Sequence, residues 1–242
     1  MRPRGIGLLL LAAPALACAG PPFVTDDPEP TEYQHYEVYF YDLGTTVRAG
    51  TASQAGIDFN YGGLPNLQLT AVVPVQFTDP VDAGSAYGLG NVQLAAKYRF
   101  VRAEDTGWDI SVFPRVFLPA GSTALGDRYT SVLVPVWLER DWDPWSTFGG
   151  GGCALNHGGV ATNYCILGWV LTRKVSANLQ LGTEVYYQSA AARGARAATG
   201  LGAGFTYDLN GHFHLMGSFG PGLQNAAQAN LYTWYAALLV TY

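Results

Sequence analysis

The stretch Asn91-Val92-Gln93-Leu94-Ala95-Ala96-Lys97-Tyr98-Arg99-Phe100 sorts its side chains into two sets. Val92, Leu94, Ala96, Tyr98 and Phe100 fall on one side, and Asn91, Gln93, Lys97 and Arg99 share the other with Ala95. Successive side chains of a strand point to opposite faces, so this is a strand with one apolar and one polar face. The same reading holds for residues 66–77, where Leu67, Leu69, Ala71, Val73, Val75 and Phe77 oppose Gln68, Thr70 and Gln76. In residues 178–188, Leu179, Leu181, Val185 and Tyr187 oppose Asn178, Gln180, Glu184 and Gln188. In residues 198–210, Leu201, Ala203, Phe205, Tyr207 and Leu209 face away from Gly200, Gly202, Gly204, Thr206 and Asp208.

Period-two pieces of this kind, separated by Gly, Pro, Asn, Asp and Ser, fill the chain from about residue 33 to its end. They fall near 35–46, 52–62, 66–78, 88–101, 107–118, 129–140, 145–154, 163–174, 178–189, 197–209, 212–221 and 230–242. An even count is what a bacterial outer-membrane barrel requires, with both chain ends on the periplasmic side. Such barrels alternate short periplasmic turns with longer outer loops. The second, eighth and tenth connections, at 62–65, 175–177 and 210–211, are short, whereas the third, fifth and seventh, at 78–87, 119–128 and 155–162, are longer. The expected fold is therefore all-β: a transmembrane antiparallel up-and-down β-barrel of about twelve strands.

Composition agrees. The 242 residues are 49% hydrophobic and 13% aromatic, with 30 Gly and only 13% charged, against about 25% charged in soluble domains. The alternative, a secreted β-sandwich with Trp in its core, would need more charge on its outside. A net charge of -5 with scattered Lys and Arg excludes a nucleic-acid footprint. No later apolar run is long enough for a spanning helix. Trp108, Trp137, Trp142, Trp145, Trp169 and Trp234 are expected in aromatic girdles at the two membrane interfaces.

Residues 1–19 read as a secretory signal peptide, with Arg2 and Arg4 ahead of an apolar run over 5–16 and the small-x-small site Ala17-Cys18-Ala19. Cys18 leaves lipid attachment open as a second possibility. Removing Arg2 and Arg4 leaves 11 basic against 18 acidic residues. Residues 20–32 are then an N-terminal periplasmic or lumenal segment, and 33–242 the barrel. The chain ends in an aromatic strand whose last residue, Tyr242, looks like the signal read by the barrel-assembly machinery.

The opening Gly20-Pro21-Pro22-Phe23-Val24-Thr25-Asp26-Asp27-Pro28-Glu29-Pro30, followed by an aromatic strand over 36–41, resembles the outer-membrane transporter-like proteins grouped with the meta-pathway phenol-degradation family. So do Gly88-Leu89-Gly90 running into the 91–100 strand, and Phe113-Pro114-Arg115-Val116-Phe117-Leu118-Pro119. The resemblance covers most of the mature chain, and Thr-Asp-Asp-Pro is its most specific piece. It implies an outer-membrane barrel that passes small hydrophobic or aromatic compounds.

Twelve strands enclose more than side chains alone fill and less than an open porin, so a narrow pore or a plugged lumen is expected. The glycine row 200, 202 and 204, continued by Gly149 to Gly152, leaves free volume, lets an internal segment approach, or simply relieves curvature. Ionisable groups on inward faces are the candidate functional residues: His35, Glu37, Asp58, Lys97, Arg99, Asp109, Arg115, Glu184 and Asp208. One arrangement sets Lys97, Arg99 and Arg115 against Glu37 and Glu184 as a charge-selective constriction. The other is a structural ion-pair network that closes the lumen. In a related reading, Asp26, Asp27, Glu29 and Glu32 fold back into the lumen against those arginines as a plug.

Cys153 and Cys165 are equally spaced from Gly159, which would set them face to face in a hairpin and allow a disulfide in the oxidising periplasm. Metal binding through His157 between them is the alternative, although the spacing matches no zinc pattern. His212 and His214 share a strand face beside a short turn, at the periplasmic rim. No Gly-x-Ser-x-Gly, phosphate loop or paired metal motif occurs, and no cofactor is implied. The expected function is a monomeric outer-membrane channel for passive passage of small solutes, with membrane lipid as its surroundings. A non-conducting structural barrel or adhesin is the alternative, and an outer-membrane enzyme a further one.

Overall fold

The computed structural model describes residues 22–121, 125, 129–156 and 159–242. The signal-peptide reading, Cys18 and His157 lie outside these residues. The chain forms β1 (Tyr36–Val47), β2 (Gly50–Leu64), β3 (Leu67–Pro80), β4 (Ala86–Leu89) and β5 (Val92–Val101). A single helical turn, α1 (Ala103–Thr106), precedes β6 (Asp109–Val112), β7 (Arg115–Leu118), β8 (Ser131–Trp142) and β9 (Trp145–Leu155). There follow β10 (Tyr164–Ser176), β11 (Leu179–Gln188), β12 (Ala198–Asp208), β13 (Phe213–Gln224), the turn α2 (Ala226–Ala229) and β14 (Tyr232–Thr241).

Neighbours in sequence pair antiparallel around one sheet, and β1 pairs with β14 from Glu37–Thr241 to Thr46–Tyr232, which closes the barrel. Backbone bonds between Tyr36 and Tyr242, 2.6 and 2.9 Å long, complete the seam at the mouth that carries the chain ends. Closure joins the first and last strands of the chain, so the sheet has no open seam between them, as a sheet that meets hydrocarbon requires.

The fourteen strands make twelve crossings, because two crossings are broken. β4 and β5 are one crossing interrupted near Gly90, and β6 and β7 are another interrupted at Phe113-Pro114. Proline lacks the N–H that a central strand donates. The ladder nevertheless continues past the second break, where Ala96 N–H donates to the Pro114 carbonyl and Phe113 N–H to the Pro135 carbonyl.

The face assignments hold along these strands. Leu94, Tyr98 and Phe100 of β5 and Leu69, Val73 and Phe77 of β3 are exposed on the outer surface, while Gln93, Lys97, Gln68 and Thr70 are buried inside. β8 departs from the rule of a polar interior. Its inward set is Ser131, Leu133, Pro135, Trp137 and Glu139, so Trp137, expected in an interface girdle, is 1% exposed and points into the lumen. Only Gly150 and Gly152 of the β9 glycine run face inward. Gly149 and Gly151 face out, where Trp169 and Leu167 cover them.

Cys153 and Cys165 stand opposite one another in the β9–β10 ladder and are joined by a disulfide, which closes the hairpin near its outer end.

Candidate functional site: the occupied lumen

Residues 22–31 run inside the barrel rather than beside it, and residues 32–35 lie at its mouth. At the mouth, Gln34 N–H donates to the Gly62 carbonyl at 2.8 Å. Further in, Thr31 N–H donates to Gln68 Oε1 at 2.8 Å, and the Gln68 amide is itself held by Asn60 at 2.7 Å. The segment crosses to the far wall, where Glu184 of β11 accepts the Val24 and Thr25 N–H groups at 3.1 and 2.6 Å. Ser218 of β13 then donates to the Pro22 carbonyl.

Its acidic residues meet the cations of the wall. Asp26, 1% exposed, accepts Lys97 Nζ at 3.0 Å and pairs with the fully buried Arg115. Asp27 takes a second contact with Lys97 at 3.2 Å, and the Glu29 carbonyl a third at 3.1 Å. Phe113 lies beneath both cations, 5.0 Å from Lys97 Nζ and 4.3 Å from the Arg115 guanidinium carbon. Taking these charges out of water is costly unless each is matched, and here Asp26 matches two at once.

The glycine row on the far wall is the seat for this segment, not empty space. Phe23 packs with Phe148 and Val170 and lies over Gly182 and Gly204, where an added Cβ would come within 2.7 and 2.9 Å of its ring. Thr25 lies against Gly168 in the same way.

The cations therefore do not oppose Glu37 and Glu184 as the constriction arrangement requires. Lys97 and Arg115 are taken by Asp26 and Asp27, and Arg99 pairs with Asp109 at 3.2 Å and with Asn66. Glu184 binds backbone N–H groups, Glu37 accepts from Tyr39 Oη at 3.0 Å, and Asp58 accepts from Asn60 at 3.0 Å. Asp208 belongs to the rim, where it meets His214 at 2.6 Å, and His212 stacks on Tyr242. His35 stands at the same mouth, its ring against the Tyr33 carbonyl. Among the described residues no group of three or more His, Cys, Asp or Glu could hold a metal ion.

Two regions of lumen flank the segment. On the mouth side is a cavity of about 640 Å³ whose walls carry Glu32, Glu37, Asp58, His35, His212 and Tyr242, with Asp26, Asp27 and Glu29 at its floor. On the other side the interior is filled by apolar side chains: Phe113, Phe117, Leu133, Trp137, Tyr164 and Ile166 pack as one buried cluster, with the buried Arg115 opposite Leu133. Sequence alternation missed the β8 part of this region, because a strand apolar on both faces carries no polar row to mark its inner one. The available signal was the parity of Glu139, which shares a face with Trp137 and Leu133.

Comparison with known proteins agrees with this architecture. An outer membrane channel from Pseudomonas putida F1 superposes with a TM-score of 0.69 at 13% identity, over 88% of this chain and 97% of that one. The KdgM porin, solved with disordered oligogalacturonate, gives 0.53 at 10% identity over 86% and 96%. The β domain of the Bordetella autotransporter BrkA gives 0.52 at 14% identity over 86% and 98%. At these identities the likeness is one of fold, that of outer-membrane barrels. No curated protein matches the sequence significantly. A family model described as "Putative MetA-pathway of phenol degradation" matches residues 37–235, nearly the whole barrel, and the chain belongs to that family.

Proposed function

We propose that this protein sits in the outer membrane and passes small hydrophobic or aromatic molecules by diffusion, with residues 22–35 setting how much of the lumen is open. The observation that carries the reading is the buried apolar cluster of Phe113, Phe117, Leu133, Trp137, Tyr164 and Ile166. An apolar solute that enters the interior beside this cluster leaves water, at roughly 25 cal/mol per Å² of surface covered. No energy-coupling element is needed, since passage down a gradient requires only a path.

The test is solute entry into liposomes carrying the refolded protein, comparing toluene or phenol with a sugar of similar size. Faster entry of the aromatic supports the reading, and equal or absent entry of both defeats it. Deleting residues 22–31 should raise single-channel conductance several-fold, and unchanged conductance would remove the segment from any occluding role. The second reading, a barrel that never conducts, is favoured by the ionic anchoring of Asp26 on Lys97 and Arg115. It predicts no entry of any solute in the intact protein.

A further inference from the structure

Arg140 of β8 and Arg173 of β10 differ from the other cations of the barrel wall. Lys97, Arg99 and Arg115 each meet a carboxylate inside the barrel. Arg140 and Arg173 point outward: each alternates with the buried inward sets, Leu133, Trp137 and Glu139 on β8 and Ile166, Val170 and Thr172 on β10. Among the described residues neither meets a carboxylate. Each lies instead over an indole ring, Arg140 at 5.6 Å above Trp108 and Arg173 at 5.1 Å above Trp145.

Register brings the two together. Arg140 stands beside Thr147 of β9, Arg173 beside Trp145, and Trp142 faces Trp145 from the other side. The two guanidinium groups thus flank β9 one side-chain row apart, within a patch of Trp108, Trp142 and Trp145. This patch lies where β8 ends and β9 begins, at the mouth that carries the chain ends. Tryptophan rings mark the depth of lipid headgroups in outer-membrane barrels. Farther up the same surface, Val136, Leu138, Trp169 and Leu171 are outward and apolar.

We infer that this patch is a seat for an anionic phospholipid of the periplasmic leaflet, its phosphate held between Arg140 and Arg173 and its acyl chains lying on the apolar rows above. The inference rests on the barrel spanning a membrane with its chain ends toward the periplasm. Charge complementarity selects the occupant. Two weakly hydrated, forked guanidinium groups without counter-ions suit a phosphate. Stacking on indole fixes each fork in advance, so less freedom is lost when the phosphate arrives. Both charges sit in the interface, where cations attract anionic headgroups.

The experiment is native mass spectrometry of the refolded protein in micelles supplied with equal amounts of phosphatidylglycerol and phosphatidylcholine of matched chains. The wild-type barrel should retain phosphatidylglycerol several-fold over phosphatidylcholine. Arg140→Gln with Arg173→Gln should bring that ratio to about one. The Lys pair at the same positions should keep most of the preference, and Arg48→Gln, at the opposite end of the barrel, should leave it unchanged. A change of gel mobility on boiling certifies that each variant has closed. If the double Gln variant does not close, each single variant should still reduce the ratio. A wild-type ratio of one, or a closed Gln variant that keeps the wild-type ratio, overturns the seat.

Discussion

Asp26 holds the lumen together by answering two buried cations with one carboxylate. Replacing it with Asn keeps shape and removes charge, leaving Arg115 with no acid and Lys97 with Asp27 alone. Breaking one partner of a buried pair costs about 3–5 kcal/mol, and here the segment can escape that cost by leaving the lumen. Asp26→Asn should therefore release residues 22–35 without unfolding the barrel, seen as faster proteolysis of the segment and larger conductance steps. A variant as protease-resistant as the wild type would show that Phe23 and the backbone bonds suffice. Glu29 works in the opposite sense. Solvent reaches its side chain from the mouth, yet the surrounding walls limit its hydration and Asp27 adds like charge, and together they push its carboxyl up to about 7. An acid whose pKa is raised in the seated state favours that state while protonated. Its support is complete below the ordinary value near 4.5 and is lost as pH rises through about 7. Open-channel occupancy should thus increase between pH 5 and pH 8, and Glu29→Gln should flatten the rise. An unaltered rise in that variant would assign the titration elsewhere.

The strands were readable because alternation is enforced at every step: a residue on the wrong face puts a polar group into lipid or an apolar one into water. That is why β3, β5 and β11 sit close to where period two places them. Alternation says nothing about what fills a barrel. Trp137 and Leu133 face a lumen that is itself apolar, so β8 reads as greasy on both sides and its girdle assignment fails. The charges of residues 26–32 do suggest a segment folded back on the arginines, but Lys97 as the partner of Asp26 and Asp27 is not readable from them. Which acid meets Lys97 depends on the path of a chain without regular structure. The glycines of the far wall acquire their meaning only from that path. Gly182 is bare because Phe23 rests on it, and a Cβ there would stand 2.7 Å from the ring. Valine is a good strand former, so Gly182→Val should leave a closed, heat-modifiable barrel while displacing Phe23. The expected sign is protease cleavage within residues 22–31 of an otherwise resistant protein, and a segment that stays protected would mean the ring finds room elsewhere.

Taken together, these placements give the molecule a chemical polarity from one mouth to the other. The buried apolar cluster around Leu133 and Tyr164 lies toward the outer end, and the acidic cavity, which Phe113 also lines, lies toward the mouth with the chain ends. In that cavity Lys97 is already matched by Asp26 and Asp27, whereas among the described residues no Lys or Arg pairs with Glu32, Glu37 or Asp58. Low-dielectric walls concentrate the field of such charges, drawing in counter-ions and repelling anions. An ion that enters from this mouth meets the cavity first, so residual current should be carried by cations. In a planar bilayer with a tenfold KCl gradient, the reversal potential should lie toward the potassium equilibrium value. Glu37→Gln combined with Asp58→Asn should move it toward zero. The effect should also fade in salt, because the screening length falls from about 10 Å at 0.1 M to about 3 Å at 1 M. An anion-selective current at low salt would mean that ions bypass the acidic cavity, or that Lys97 and Arg115, freed from Asp26, govern the open state. Measuring Asp26→Asn in the same gradient separates the two: anion selectivity that grows in this variant assigns the open state to the cations, and an unchanged value assigns the current to another route.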